Sequence, residues 1–275
     1  MALRHLSAVA AALLSLYLGD QVFSQAQSKL AVNDTLVVSD PGVWKTLRRG
    51  LEYRKVIMQR SDPLHDLGLT VMRAQTPYAY SRVLHSQQLQ LKSASAKTFA
   101  EKTGAVAVIN ANYFDERGRP LAYLKTAQNE INAAVSKHGL YTGIFGLSQA
   151  GPFVTHRDEF SPGQAAEALQ SGPLLLHRGE PVPVISGPGR QARRSVIAID
   201  KHGRLIIGVV DAVLGGLSFA ELQALFSGAK WQIDATELLN LDGGGSAQLY
   251  IKAANFEQWL PGTSEVPVAI GIFLK

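Results

Sequence analysis

The sequence predicts a mixed α/β (α+β) protein, with a single domain around a large, partly antiparallel sheet and flanking helices. Strand-like stretches outnumber helical ones, and many connections are too short for the crossover that joins parallel strands. Of the 275 residues, 46% are hydrophobic and 18% are charged, which is typical of a folded globular chain. The absence of cysteine excludes disulfide scaffolds and thiolate sites. The formal net charge of +5 favours anionic ligands.

In the first half of the chain, apolar runs and the residues that interrupt them predict the elements. Strands are expected at Leu51–Gln59 and Leu67–Met72, and the continuous apolar run Ala105–Ile109 is typical of a strand buried on both faces. A short helix is expected over Lys97–Lys102, because serines precede it and Gly104 follows it. Further strands are expected at 141–147 and 173–176, and a helix at 165–169.

The second half has a clearer pattern. The apolar runs 195–199 and 205–210 flank Lys201-His202-Gly203 and predict a hairpin. Residues 219–226 predict an amphipathic helix, with Ser218 as its N-cap and Glu221 completing a capping box. Strands are then expected at 237–241, 247–251 and 266–273. We therefore expect one domain over residues 30–275.

The first 26 residues have the pattern of an export signal. Arg4 supplies a positive charge, the apolar run 6–18 is too short to span a bilayer comfortably, and Ser24-Gln25-Ala26 offers a small-x-small cleavage site. An uncleaved anchor is the alternative. We expect residues 1–26 to be a signal peptide and the protein to be exported, either periplasmic or secreted. No nucleic-acid partner is expected, and no stable membrane anchor once the signal is cleaved.

The strongest local signal is the segment Asn240-Leu241-Asp242-Gly243-Gly244-Gly245-Ser246, which follows an apolar strand. Glycines let a ligand approach the backbone, and successive amides can form a concavity that binds anions. Asp242 adds a carboxylate and Ser246 a hydroxyl. A plain glycine-rich turn is the alternative. No lysine follows the glycines as in a P-loop, and Gln248 replaces the glycine that a nucleophile elbow requires.

A second polar group follows the run 105–109 directly. Asn110 and Asn112 can exchange hydrogen bonds with sugar hydroxyls, Tyr113 could stack on a sugar face, and Asp115 adds a second carboxylate. Polar residues at the end of a buried strand are well placed for a site. The alternative is an Asn/Asp-rich turn that opens a hairpin.

Two further segments are weaker signals. Arg193-Arg194-Ser195 enters a strand, and an arginine such as Arg194 pairs with phosphate in a planar, two-pronged geometry. A solvated basic loop is the alternative. Ser171-Gly172-Pro173 is a turn before an apolar strand.

Together and in this order, these motifs resemble the phosphodiester glycosidase family, whose bacterial members are often labelled as exopolysaccharide-related. The resemblance covers residues 100–275, and the matching segments are AVAVINANYFD (105–115), SGPLLL (171–176), RRSVIAID (193–200), VVDAVLGGLSFAELQALF (209–226) and NLDGGGSAQLYI (240–251). The chain departs from the family pattern at Ala111, where glycine is usual, and at Arg193-Arg194-Ser195, where Pro-Arg-Thr is frequent.

The resemblance implies hydrolysis of a sugar-1-phosphodiester at the anomeric carbon, on glycan or exopolysaccharide-type substrates. On this hypothesis Asp242 is the nucleophile or the base that activates water, and Asn110 acts beside it. Arg194 would hold the phosphate together with the amides of the glycine segment. The remaining substrate contacts are expected from Asn112, Tyr113, Asp115, Ser171, Ser195, Gly243, Gly244, Gly245 and Ser246.

Two alternatives stay open. A non-catalytic glycan-binding protein for polysaccharide export or assembly would use the same surface without an activated carboxylate. A Ca²⁺ or Mg²⁺ site could be built from Asp242, Asn110 and Asp115, since oxygen ligands suit those ions. No cofactor is otherwise expected, and the expected partner is a phosphorylated glycan or sugar-1-phosphodiester.

Overall fold

The computed structural model describes residues 30–62, 64–127, 129–185, 187 and 189–275, and this part of the chain consists mainly of antiparallel strands. In chain order the strands are β1 (Leu30–Ala31), β2 (Leu36–Asp40), β3 (Lys45–Arg48), β4 (Leu51–Ser61), β5 (Leu64–Ala74), β6 (Ala79–His85), β7 (Ala107–Asn110), β8 (Leu124–Lys125), β9 (Glu130–Asn132), β10 (Gly143–Ser148), β11 (Gly151–His156), β12 (Glu167–Ser171), β13 (Leu174–His177), β14 (Glu180–Pro181), β15 (Ser195–Asp200), β16 (Leu205–Asp211), β17 (Ala235–Asn240), β18 (Leu249–Ala253), β19 (Phe256–Leu260) and β20 (Val268–Leu274). The helices are α1 (Ala96–Thr103) and α2 (Phe219–Ser227).

These strands form three antiparallel sheets. The largest has ten strands in the order β1-β2-β4-β5-β16-β15-β17-β13-β14, with β3 paired to β4. The second has the order β11-β10-β12-β8-β9, and the third has the order β19-β18-β7-β20-β6. In the third sheet, β7 from the first half of the chain lies between β18 and β20 from the second half, so this sheet joins the two halves of the chain.

The expected α+β class is wrong, because the described residues contain only two α-helices, of 8 and 9 residues, and the sheets pack mainly against one another. The helix expected at 165–169 is replaced by strand β12, in which all five residues are buried. Apolar periodicity alone cannot distinguish a short buried strand from a helix, which explains this error. The hairpin around Lys201-His202-Gly203 is confirmed as β15–β16, and the helices expected at 97–102 and 219–226 are confirmed as α1 and α2.

The main hydrophobic core lies between the three sheets, and each contributes fully buried side chains, such as Leu51, Phe145 and Ile109. The other face of the large sheet is covered by α2 through Leu222. The other face of the third sheet is covered by α1 through Phe99. Because both faces of these sheets are buried, their central strands can end in the interior of the protein, where polar side chains are shielded from water.

Strand β7 shows how this burial follows from the sequence. Ala107 and Ile109 belong to the core between the sheets, whereas Val108 packs with Phe99 beneath α1. The alternation of the strand sends successive side chains to opposite faces, so an uninterrupted apolar run fits a strand covered on both sides. The prediction is therefore confirmed for Ala107–Ile109, whereas Ala105 and Val106 precede the strand and Val106 is half-buried.

The predicted signal peptide, residues 1–26, lies outside the described residues and stays a prediction. Among the residues that the structure describes, no helix has both the length and the apolar character needed to cross a bilayer.

A single cluster of buried apolar side chains includes residues from Leu51 near one end of the described chain to Ile272 near the other.

A buried ion pair fastens α2 to the large sheet. Arg60 on β4 is fully buried and bonds both carboxylate oxygens of Glu221, at 2.9 and 3.0 Å. Glu221 also accepts from the Ser218 N–H at 2.8 Å, which closes the predicted capping box. Burial would raise the pKa of Glu221, but the hydrogen bonds from Arg60, the Ser218 N–H and Asn33 outweigh it and hold this pKa below its usual range.

We predict that Glu221→Gln destabilises the fold by about 3–5 kcal/mol, because it leaves the Arg60 charge buried without a counter-ion. Urea unfolding of the full chain would measure this loss. The double variant Arg60→Met/Glu221→Leu is expected to cost less than Glu221→Gln alone, since it removes both charges. A double variant at least as unstable as the single one would contradict this account.

The same pair predicts a pH dependence. Because the pKa of Glu221 is lowered by folding, its contribution to stability is fully present above the ordinary Glu value of about 4.3 and is lost as the pH falls through the lowered value. Urea midpoints measured between pH 3 and pH 7 should therefore fall more steeply for the wild type than for the double variant.

Candidate active site

Asn110 joins the segments of the candidate site from the end of β7, where its side chain is fully buried. Its Nδ2 donates to the Asp242 carbonyl at 2.7 Å, and its Oδ1 accepts from Ser195 Oγ at 2.6 Å and from the Gln248 N–H at 3.1 Å. These bonds use most of the capacity of the carboxamide. Asn110 is therefore suited to positioning other groups rather than to touching a sugar.

Main-chain hydrogen bonds hold Asp242 at the junction of two sheets. Its N–H donates to the Ala111 carbonyl at 2.9 Å, beside β7, and the Leu241 N–H donates to the Ser195 carbonyl at 2.8 Å, in the large sheet. The chain passes here from β17 of the large sheet to β18 of the third. Asn110 and Asp242, separated by 132 positions, are thereby brought together.

The Asp242 carboxylate is partly buried and accepts hydrogen bonds from the Ser246 hydroxyl and the Gly243 N–H. Burial raises the pKa of this carboxyl, and the two hydrogen bonds offset only part of the effect. Burial also raises the pKa of Tyr113 and of Tyr141, and the negative charge of Asp242 raises both further. The site therefore combines a carboxylate of increased basicity with two phenols that stay protonated.

Tyr113 belongs to a buried hydrogen-bond network that the sequence did not reveal. Its hydroxyl donates to the Gly172 carbonyl at 3.0 Å, and Asn240 Nδ2 donates to the Tyr113 oxygen at 3.0 Å and to the Gly172 carbonyl at 2.8 Å. A β-carbon at position 172 would collide with the Leu140 carbonyl, so the site requires glycine there. Asn240 belongs to the motif that contains the glycines, and the signal for its role is that a carboxamide at the end of a buried strand needs hydrogen-bond partners.

Three polar side-chain atoms in this region are buried without any partner among the described residues. They are Asn112 Oδ1, Ser171 Oγ and Asn240 Oδ1. Each lies on a residue of the Tyr113–Gly172 network or immediately beside one in the chain. A buried polar group without a partner costs about 1–3 kcal/mol, so these atoms are positions that a bound ligand or an ordered water can satisfy. Ligand hydroxyl groups could donate to both amide oxygens and exchange bonds with the serine.

Arg194 is mostly buried and is held by main-chain acceptors. Its Nε donates to the Leu217 carbonyl at 3.0 Å, its Nη2 donates to the Arg190 carbonyl at 2.6 Å, and the guanidinium lies 4.0 Å from the Phe219 ring centre. Burial lowers the pKa of Arg194, and the nearby Tyr113 raises it in part. Within the described residues Nη1 has no hydrogen-bond partner, so one end of the guanidinium is left to meet an anion.

The glycine segment supplies fewer free amides than the sequence predicted. The Gly243 N–H donates to the Asp242 carboxylate, and the Gly244 N–H donates to the Arg193 carbonyl at 2.9 Å. Only the Gly245 N–H has no acceptor among the described residues. Gly244 has a φ of 58°, which favours glycine. The segment therefore mainly shapes the turn that orients Asp242.

Asp115 is occupied by a turn. Its Oδ1 accepts from the N–H groups of Arg117 and Arg119 at 2.9 Å each, and its Oδ2 accepts from Arg119 Nε at 2.7 Å. The alternative interpretation as an Asn/Asp-rich turn fits these contacts better than substrate binding does. Across the described part of the chain, no three His, Asp or Glu side chains are grouped closely enough to hold a metal ion.

Two aromatic residues near the site carry no recognisable sequence motif. The Tyr141 ring lies 5.4 Å from the Tyr113 ring, and the His138 ring lies 5.1 Å from that of Tyr141. Both belong to the irregular segment 133–142 between β9 and β10. A lone tyrosine and histidine in a loop give no periodic signal, so only the folded structure reveals them.

Comparison with known proteins identifies the family of the chain. Residues 103–274, which include every residue of the site described above, match the phosphodiester glycosidase family. The chain belongs to the phosphodiester glycosidase family. No match is found among curated proteins.

Solved structures share the fold of this phosphodiester glycosidase family member. The catalytic domain of zebrafish N-acetylglucosamine-1-phosphodiester alpha-N-acetylglucosaminidase, auto-inhibited by its pro-peptide, superposes with a TM-score of 0.64 at 16% identity, over 86% of this chain and 88% of that chain. A hypothetical protein from Synechocystis gives 0.59 at 16% identity, over 86% of this chain and 64% of that chain. A putative exported protein from Burkholderia pseudomallei gives 0.50 at 10% identity, over 80% and 74%. At these identities the likeness concerns the fold.

We predict that Asn110→Ala destabilises the protein by about 3 kcal/mol, because it leaves the Asp242 carbonyl, the Ser195 hydroxyl and the Gln248 N–H without their partner. Urea unfolding would measure the loss. Asn132→Ala is the matched control, since Asn132 makes two hydrogen bonds at a less buried position and should cost less than about 1 kcal/mol. Equal losses for the two variants would show that Asn110 does not have the central position assigned to it.

Proposed function

We propose that this protein is a hydrolase that cleaves a sugar-1-phosphodiester between the anomeric carbon and its oxygen, on glycan or exopolysaccharide-type substrates outside the cytoplasm. Family membership supports the reaction class. The observation that carries the proposal is the Asp242 carboxylate, whose pKa burial raises and whose backbone Asn110 holds next to the Tyr113–Gly172 network with its unpartnered buried atoms. N-Acetylglucosamine, which the zebrafish relative's name specifies, is the first sugar to test.

In the proposed reaction Asp242 acts at the anomeric carbon. It either attacks C1 directly, giving a glycosyl ester that water then hydrolyses, or removes a proton from the attacking water. In both forms the C1–O bond breaks, its electron pair leaves with the phosphate oxygen, and water supplies the new hydroxyl of the sugar. The raised pKa of Asp242 makes it a better base than an exposed aspartate, because its anion is less stabilised.

The leaving group explains why one carboxylate is enough. Cleavage releases a phosphate monoester whose second pKa is about 6, so the departing oxygen needs little protonation. The site can instead stabilise its charge, and the unpartnered Arg194 Nη1 and Gly245 N–H are the groups proposed to do so. The sugar hydroxyls would be bound by Asn112, Ser171 and Asn240, whose buried atoms lack protein partners.

We predict that Asp242→Asn lowers kcat about 10²–10⁴-fold, because it removes the base or nucleophile while keeping the shape of the side chain. The measurement uses the 4-nitrophenyl phosphodiester of N-acetylglucosamine, with a phosphatase added to release nitrophenol from the product. In ¹⁸O-labelled water, with the phosphatase left out, the label should enter the sugar and not the released 4-nitrophenyl phosphate. Wild-type turnover by the variant, or label in the phosphate, would contradict the proposal, and binding without turnover by the wild type would favour the glycan-binding alternative.

The pH profile follows from the same group. Asp242 must be ionised to act, and its pKa is raised above the usual value of about 3.9. We therefore predict that kcat/KM of the wild type falls as the pH drops through an apparent pKa above 3.9, because the carboxylate takes up its proton earlier than an exposed one. A profile that stays flat down to pH 4 would contradict the assignment.

For phosphate binding, we predict that Arg194→Lys lowers kcat/KM about 10–100-fold, since a charged hydrogen bond contributes about 1.5–3 kcal/mol and lysine lacks the planar fork. Arg48→Lys is the control, because Arg48 lies exposed on β3. An equal effect of the two substitutions on the turnover of the same phosphodiester would remove Arg194 from the proposed site.

A further inference from the structure

Residues 133–142 form an irregular segment that is fastened to the protein by its backbone. Gln170 on β12 is almost fully buried, and its Nε2 donates to the carbonyls of Ser136 and Tyr141 at 2.8 and 2.7 Å. Its Oε1 accepts from the Ser136 N–H at 2.7 Å. Holding a segment without regular structure costs about 1–2 kcal/mol of conformational entropy per residue, and these buried bonds offset that cost.

Arg157 provides a second anchor from the turn after β11. Its Nη1 donates to the carbonyls of His138 and Tyr141, at 2.5 and 3.3 Å, and its main-chain N–H donates to the Thr142 carbonyl at 2.9 Å. Both anchors bind main-chain atoms of the segment. The side chains of His138 and Tyr141 are therefore not needed for these bonds.

The two rings continue the aromatic surface that begins at Tyr113. The Tyr113 and Tyr141 rings lie 5.4 Å apart with an interplanar angle of 37°, and the Tyr141 and His138 rings lie 5.1 Å apart at 38°. We call these three residues the aromatic ladder. Tyr141 is partly exposed and His138 is exposed, unlike rings that serve only to fill a core.

Tyr141 and Arg194 are held by different parts of the fold. The Tyr141 carbonyl accepts a hydrogen bond from Gln170 on β12 of the second sheet, whereas the Arg194 guanidinium packs on Phe219 of α2, which covers the large sheet. If the phosphate lies against Arg194 and the anomeric carbon against Asp242, the ladder lies on the sugar side of the scissile bond.

We propose that Tyr141 and His138 form a subsite for a second sugar ring, linked to the sugar whose C1–O bond is cleaved. This inference rests on the proposed function. A pyranose ring has C–H faces and a hydroxyl rim, and tyrosine and histidine present an apolar ring with a polar tip. The Leu140 N–H donates to His138 Nδ1 at 3.2 Å, so Nε2 carries the hydrogen and can donate to a sugar hydroxyl.

The test compares two probes that differ by one sugar. They are the 1-(4-nitrophenyl phosphate) diesters of N-acetylglucosamine and of N,N′-diacetylchitobiose, assayed with the full chain. We expect kcat/KM to be at least about tenfold higher for the disaccharide probe. In Tyr141→Ala this ratio should fall close to one, chiefly through KM, while Tyr141→Phe should keep most of it because the ring remains.

Gln170→Glu tests whether the anchored backbone positions the ring. It keeps the size of the side chain but removes both donations to the segment, so the disaccharide preference should fall although Tyr141 is intact. Tyr80→Ala is the control, since Tyr80 is a surface tyrosine that stacks on Phe273 in the pair β6–β20. It should leave the preference unchanged.

Binding without turnover separates this inference from the proposed function. Saturation-transfer NMR with N,N′-diacetylchitobiose should show contact with the wild type that Tyr141→Ala loses, even if neither phosphodiester is hydrolysed. Hydrolysis of both probes with no disaccharide preference would overturn the subsite and leave the reaction standing. An equal loss on both probes in Tyr141→Ala would also overturn it, because the ring would then serve the cleaved sugar.

Discussion

The site depends on one buried carboxamide. Asn110 ends a strand of the third sheet, and its side chain reaches Ser195 at the start of a strand of the large sheet and the Asp242 carbonyl between the two. Hydrogen bonds shielded from water are stronger than exposed ones. If one partner is removed, the other stays buried without a hydrogen bond, which destabilises the folded state. Because the same side chain also binds the Gln248 N–H, the two ends of the glycine segment are fixed to one point. The orientation of Asp242 follows from that attachment.

Around this attachment the protein leaves polar groups without partners. Three buried oxygens have no hydrogen-bond partner, those of Asn112, Ser171 and Asn240. The charged form of Asp242 is also disfavoured by burial, as its raised pKa shows. Both features make the folded state less stable than one in which these groups had partners. The ion pair between Arg60 and Glu221 and the two-sided burial of the sheets lie elsewhere in the fold, where such costs can be offset. Groups that lack partners in the free protein are the ones that a substrate can satisfy.

The sequence predicted which segments meet at the candidate site better than it predicted the fold class. A short motif at the end of a strand, such as the glycine segment, can be recognised without knowing how the sheets are arranged. Asp242 and Asn110 could therefore be singled out from the sequence. The class was wrong because short buried strands such as β12 have no periodicity that separates them from helices. Tyr141 could not be predicted either: its place beside Tyr113 is set by Gln170 and Arg157, which belong to other elements of the chain.

The chemistry of the leaving group links these features. A glycosidase that expels a sugar alcohol needs an acid to protonate it, and its second carboxyl group must be held at a defined distance from the first. A phosphate monoester leaves as a stable anion, so that second group is unnecessary, and the space beside Asp242 can be given to neutral rings and amides. On the proposed reaction, this accounts for a site in which Asp242 lies near Tyr113, Tyr141 and Asn240. On the same proposal, the binding energy of the site is available for recognising the sugar, and the aromatic ladder is the surface proposed to supply part of it.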